Sequence, residues 1–196
     1  ILLFSELFLT GYYPEDLLLK PRFVADAIAT ARELAAATAG TAVSLLLPSV
    51  WLEDGVLRNA VLLCENGEIV ATRFKRELPN DDVFYEKRYF TPGPLAEPMT
   101  IKGVSIGVPI CEDIWHPDVC AHLVDHGARI LLCPNGSPYW RNKDAIRKRL
   151  RPCRRPEPDT AQQSPPSQQS PAHVHPILCD LGAIIGRSFS IFHNSN

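Results

Sequence analysis

The stretch from Val104 to Cys133 constrains this chain more than any other part of it. Val104 to Ile110 is a short apolar run of the kind that forms a buried strand. Pro117 opens a helical run that ends at His126, with Gly127 as its stop, and Arg129 to Cys133 is strand-like again. Strand, helix and strand in this succession predict a βαβ unit with its two strands parallel. Cys111 then falls at the strand-to-helix turn, at a strand's carboxyl end, where α/β folds commonly hold their active sites.

The residues before that unit read as further pieces of an α/β domain. From Arg22 to Ala37 the apolar positions Val24, Ile28, Ala31, Leu34 and Ala35 recur every three to four residues, and Gly40 follows as a stop, which predicts an amphipathic helix. Val43 to Leu47 predicts a buried strand. Asn59 to Cys64 and Glu68 to Phe74 are β-rich runs joined through Glu65-Asn66-Gly67, and Asn-Gly between apolar runs predicts a hairpin inside an antiparallel meander. The chain does not begin with Met, and Ile1 to Phe4 resembles the second half of a buried strand, so the start of the domain is expected to be missing. We place the folded domain at residues 1–150. From Arg151 to Pro176 the text changes to Ser-Pro and Gln-Gln repeats with seven of the chain's 18 prolines, too little apolar surface to offset ordering entropy. Residues 151–196 are therefore expected to form a divergent tail, disordered or not native to the family, although Ile177 to Phe192 is apolar enough to pair or pack weakly.

Composition narrows the partners. A net charge of -2 over 196 residues offers no strong field for nucleic acid or a membrane surface, which leaves small molecules. No apolar run approaches the roughly 18–20 residues of a membrane span, and no signal peptide is visible, so a cytoplasmic location is expected. The six cysteines, Cys64, Cys111, Cys120, Cys133, Cys153 and Cys179, include no CxxC pair and indicate neither a disulfide framework nor a zinc site. His116 and His122 stand six apart, and His173 and His175 lie in the proline-rich stretch, so no metal site is expected. Trp115 and Trp140 are read as core or rim aromatics, and Cys64, Cys120 and Cys133 as packing residues.

Cys111 alone would also be read as a small buried hydrophobe. A thiol with a pKa of about 8.5 is a few per cent thiolate at neutral pH, so a nucleophilic cysteine needs a base or a positive charge beside it. Three segments supply candidates in order: Phe4-Ser5-Glu6-Leu7-Phe8-Leu9-Thr10-Gly11-Tyr12, Phe74-Lys75-Arg76-Glu77-Leu78-Pro79-Asn80, and Pro109-Ile110-Cys111-Glu112-Asp113-Ile114-Trp115. Together they resemble the nitrilase superfamily of carbon-nitrogen hydrolases. Leu78-Pro79-Asn80, Glu86-Lys87-Arg88-Tyr89-Phe90, Cys-Glu-Asp-Ile-Trp and Pro134-Asn135-Gly136-Ser137-Pro138-Tyr139 are similar, more narrowly, to the glutaminase domain of glutamine-dependent NAD synthetases. The resemblance covers about residues 1–150.

That resemblance implies a partial nitrilase-type α-β-β-α sandwich, an α/β fold with a mixed sheet. It also implies roles. Glu6 matches the general base, Lys75 the lysine, and Cys111 the nucleophile. The backbone N–H of Glu112 would join the Lys75 ammonium in holding the oxyanion, and Glu86 matches a second carboxylate that orients the ammonium and assists water. Ser137 and Arg147 align with positions that contact the amino-acid end of glutamine. The implied partners are glutamine and a synthetase domain or chain that receives ammonia, with homo-oligomers expected in the full-length family. No cofactor is expected in this chain, because ATP and magnesium belong to a synthetase domain whose serine-glycine-glycine loop is absent from the sequence.

Several positions depart from the family pattern. Ser5 and Tyr13 replace prolines, and Asp81 and Asp82 replace a Tyr-Gly pair next to the lysine loop, where added negative charge would raise carboxyl and thiol pKa values. The strands that the family carries beyond the Lys143–Arg147 helix are not found. Two alternatives to glutamine hydrolysis therefore stand beside it: a stand-alone amidase, and a truncated, inactive relic serving as an interaction module.

Overall fold

The computed structural model describes residues 1–81, 83–137 and 141, together with backbone strands at 173–175 and 190–195. Its first sheet joins β1 (Leu2–Leu3), β2 (Leu45–Glu53), β3 (Val56–Glu65) and β4 (Glu68–Phe74) in that order. β1 runs parallel to β2, and β2, β3 and β4 form the expected antiparallel meander. The β3–β4 turn is Asn66-Gly67, both at positive φ, as the Asn-Gly signal predicts. β2 extends well past Leu47, where the apolar run suggested it would stop. The cause is a second hairpin, at Asp54-Gly55 (φ 51° and 76°), which carries β2 to Glu53 against Val56. Pro48 is tolerated there because β1 covers only Leu45 and Leu46.

The second sheet has the order β5-β6-β7-β9-β8. β5 (Met99–Ile101) and β6 (Val104–Gly107) form a hairpin across Lys102-Gly103, and β6 pairs in parallel with β7 (Ile130–Cys133) through the helix α2 (Pro117–Asp125), so the βαβ unit forms as expected. β9 (Ser190–Ser195) adds antiparallel to β7, and β8 (His173–His175) adds to β9. The free edge of β7 offers these two short segments a ladder to pair with. The rest of residues 151–196 lies outside the described residues.

The sheets face each other across a core of Leu46, Val61 and Leu63 from the first and Ile101, Ile106 and Leu132 from the second. The helix α1 (Pro21–Ala36) covers the outer face of the first sheet, packing Ala31 and Ala35 on Leu45, Leu47 and Leu62. Leu34 was expected to face inward but is exposed, and Ala27 is buried instead. The spacing of Ala27, Ala31 and Ala35 explains this: a seam of small side chains lets the helix sit close to the strands, and larger residues are pushed to its flanks. On the other outer face α2 packs Cys120 and Leu123 on Leu131. Gly107 makes that approach possible, since a Cβ there would lie 2.5 Å from Leu131 Cδ2. The layers are thus α-β-β-α. Among the described residues no helix is long and apolar enough to cross a membrane.

Candidate active site

Three loops leave the strands toward one crevice. Glu6 follows β1, Lys75 follows β4 and Cys111 follows β6, so each sits at the carboxyl end of a strand. Lys75 is fixed by its own backbone: its N–H donates to Asn59 O (2.9 Å) and its carbonyl accepts from Gly93 N (2.8 Å). Gly93 must be glycine for that approach, because a Cβ would lie 2.6 Å from Phe74 Cβ. Cys111 occupies a tight turn at φ 44°, in the left-handed region that a cysteine seldom adopts, and its N–H donates to Pro134 O (3.0 Å) at the end of β7.

The side chains form one buried network. Lys75 Nζ donates to Glu6 Oε1 (2.6 Å) and to Glu86 Oε1 (2.8 Å), and all three side chains are 0% exposed. Charged side chains are seldom buried unless paired, and these three are paired with one another. Asn59 Nδ2 donates to the same Glu6 oxygen (2.9 Å), while Gly136 N donates to the other, Oε2 (3.0 Å). The Cys111 thiol donates to Asn135 Oδ1 (3.2 Å), which also accepts from Ser137 N (2.7 Å). Tyr12 completes the ring, its hydroxyl donating to Glu86 Oε1 (3.2 Å). Of the residues singled out in sequence, Glu6, Lys75 and Glu86 therefore meet, and Cys111 lies near enough to Glu6 and Lys75 to feel their charges. Ser137 enters through its backbone. Glu112 opens the turn after the nucleophile, and its carboxylate lies 3.8 Å from His116 Nε2, on a partly exposed side chain. Arg147 and Asp82 lie outside the described residues, and Asp81 is exposed.

Asp113, which carries no role of its own in the Cys-Glu-Asp-Ile-Trp motif, ties the lysine loop to the nucleophile turn. Its carboxylate accepts from Ile110 N (2.9 Å) on the nucleophile side and from Arg76 N (3.1 Å) and Glu77 N (2.8 Å) on the lysine side. Asn59, Asn135 and Tyr12 were likewise unforeseen. For Asn59 a signal existed: a polar residue unfavourable in strands heads the apolar run of β3.

The electrostatics suit a thiol that ionises only on demand. Burial, then the charge of Glu6, pushes the Cys111 thiol well above its ordinary value, against the opposing influence of Lys75 and the Gly136 N–H. Burial would lower the Lys75 ammonium, but Glu6, Cys111 and Glu86 together hold it above its ordinary value, so it remains charged. Burial pushes Glu86 up to about 7, outweighing the lowering by Lys75, and Asp113 up to about 6. The second oxygen of Glu86 is buried with no hydrogen-bond partner among the described residues, the place where a proton would reside.

A stability profile follows from Glu86. Its folded pKa lies above the unfolded value of 4.5, so its contribution is fully present below that pH and lost as the pH rises through about 7. Between pH 5 and pH 8 the native protein is expected to lose stability relative to Glu86→Gln, read from urea midpoints. Equal slopes for the two proteins would contradict a protonated Glu86. Gly136 gives a second prediction. A Cβ there would lie 2.8 Å from the Tyr12 ring and 3.0 Å from Glu6 Oε2. Gly136→Ala should cost about 1–3 kcal/mol of stability by overpacking and, by displacing the carboxylate, reduce turnover about 100-fold for a misplacement near 1 Å.

The family model for carbon-nitrogen hydrolases matches residues 1–148. This chain belongs to the carbon-nitrogen hydrolase family. Within that family it is similar to the glutamine-dependent NAD(+) synthetases of Rhodobacter capsulatus, with 43% identity over 146 residues, and Xanthomonas campestris, with 45% over 152. These alignments cover 74% and 76% of the chain but only 26% and 27% of the relatives, so the chain spans about a quarter of the proteins it matches. Among solved structures, the glutamine-dependent NAD+ synthetase of Acinetobacter baumannii superposes with a TM-score of 0.68 at 33% identity, covering 74% of this chain and 27% of that one. A carbon-nitrogen hydrolase from Helicobacter pylori superposes with a TM-score of 0.57 at 28% identity, covering 75% and 53%. The α/β sandwich expected from the motifs is thus the fold of the carbon-nitrogen hydrolase relatives.

Proposed function

We propose that this chain carries the glutaminase chemistry of a glutamine-dependent NAD synthetase, hydrolysing the glutamine side-chain amide through a Cys111 thioester. The observation that carries the reading is the buried Lys75 ammonium between Glu6 and Glu86, beside a thiol that burial keeps protonated. Glu6 takes the thiol proton as sulfur attacks the amide carbon, so no free thiolate has to persist in the resting enzyme. The oxyanion would be held by the Lys75 ammonium and the Glu112 N–H. Collapse of the tetrahedral intermediate breaks the carbon–nitrogen bond, and Glu6 returns its proton to the departing ammonia. Water then loses a proton to Glu6 and attacks the thioester, and the sulfur leaves with that proton as glutamate is released. Glu86 keeps the ammonium oriented through both halves. Ser137 and Arg147 would bind the amino-acid end of glutamine, and the ammonia would pass to a synthetase domain or chain, where ATP and magnesium belong.

The likeness to NAD synthetases over 74–76% of the chain favours glutamine over simple amides. The test is to incubate the purified chain with glutamine, propionamide or acetamide and to assay ammonia. Preference for glutamine supports the proposal, preference for the simple amides assigns a stand-alone amidase, and release from none of them assigns an inactive relic.

A further inference from the structure

We propose a binding site for a divalent transition-metal cation of the zinc type at Glu97, His122 and His126, outside the catalytic network. Spacing counted from His116 to His122 hides a closer pair: His122 and His126 are four apart, one turn along α2, and so share a helix face. Their rings stack with centroids 3.9 Å apart. Glu97, from the loop before β5, reaches the same point, with Oε1 3.1 Å from His122 Nε2 and 3.7 Å from His126 Nε2. One ligand atom from each of the three residues lies within 4.8 Å of the others.

A tetrahedral zinc with bonds of about 2.0–2.1 Å holds its ligand atoms about 3.3–3.4 Å apart, between the two observed separations. The tautomer is also set for it. His126 Nδ1 lies 2.7 Å from His122 O, so it carries the hydrogen and donates to that carbonyl, which leaves the lone pair of the neutral ring on Nε2, toward Glu97. Without a cation, that lone pair would face a carboxylate oxygen. One metal ion satisfies both nitrogens and the oxygen. The backbone that carries Glu97 is fixed by Arg73, whose Nε donates to the Glu97 carbonyl (2.6 Å) and whose Nη2 donates to Pro98 O (3.1 Å). His126 and Glu97 are exposed, so the cation enters from solvent and water can take a further coordination position.

The test is calorimetric titration of the full chain with zinc chloride, paired with visible spectra of the cobalt(II) form. One saturable equivalent is expected, with cobalt bands lacking thiolate-to-metal charge transfer. Glu97→Gln and His126→Ala should each weaken binding by about 10-fold or more, and zinc should raise the thermal midpoint of the native protein but not of the doubly substituted His122→Ala/His126→Ala chain. Absence of saturable binding, thiolate bands in the cobalt spectrum, or zinc affinity unchanged in the double variant would each overturn the site.

Discussion

Lys75→Ala will unfold in urea well before the native protein, with a loss of about 3–5 kcal/mol, the usual cost of leaving buried charge without its partner. The loss arises because Glu6 and Glu86 are both 0% exposed and share this one ammonium, at 2.6 and 2.8 Å. With the ammonium gone, Glu86 can relieve the repulsion by taking up a proton, so the deficit should be larger at pH 8 than at pH 5. The sign follows from Glu86, whose carboxyl already sits at about 7 with Lys75 present and can only rise further without it. Turnover should fall on the order of 100- to 1,000-fold, the typical cost of one oxyanion donor. Denaturation curves at the two pH values and an ammonia assay measure both effects. A variant as stable as the native protein at pH 8 would show that the two carboxylates do not depend on this cation.

The second large effect separates chemistry from folding. Cys111→Ala should reduce ammonia release from glutamine to background, a loss on the order of 10⁴-fold or more for removal of a nucleophile. Stability should change by only about 1 kcal/mol, because a buried thiol packs as a small hydrophobe. Asn135 keeps one donor after the substitution, the Ser137 N–H at 2.7 Å, so no buried oxygen is orphaned. Intact-protein mass spectra add a direct readout: the native chain quenched during turnover should carry a glutamyl mass, and the variant none. Ammonia release surviving in Cys111→Ala would end the thioester mechanism.

What could be read from the residues was local. The βαβ unit, the Asn66-Gly67 hairpin and the α1 helix depend on periodicity and turn chemistry within a few positions, and each forms as expected. The motif segments supplied the residue types at Glu6, Lys75, Glu86 and Cys111. What they could not supply was adjacency between distant stretches. Asn59 bonds Glu6 across 53 positions and Gly136 bonds it across 130, and nothing in either neighbourhood announces the contact. The strand read at Ile1 to Phe4 forms as β1, but its parallel partner, Leu45 and Leu46 of β2, lies too far along the chain for a local pattern to name. The inward face of α1 was misjudged for a similar reason: hydrophobicity favoured Leu34, while closeness to the sheet favoured Ala27. Glu97 joins His122 only because folding brings a loop onto α2.

The nucleophile belongs to one sheet and its base and ammonium to the other, so the reacting atoms sit on opposite leaves of a hinged book. Asp113 acts as the clasp, with one oxygen on Ile110 and the other on Arg76 and Glu77. A page edge clipped this way keeps its alignment even when the binding loosens. Substitutions deep between the leaves are therefore expected to weaken the molecule before they part sulfur from ammonium.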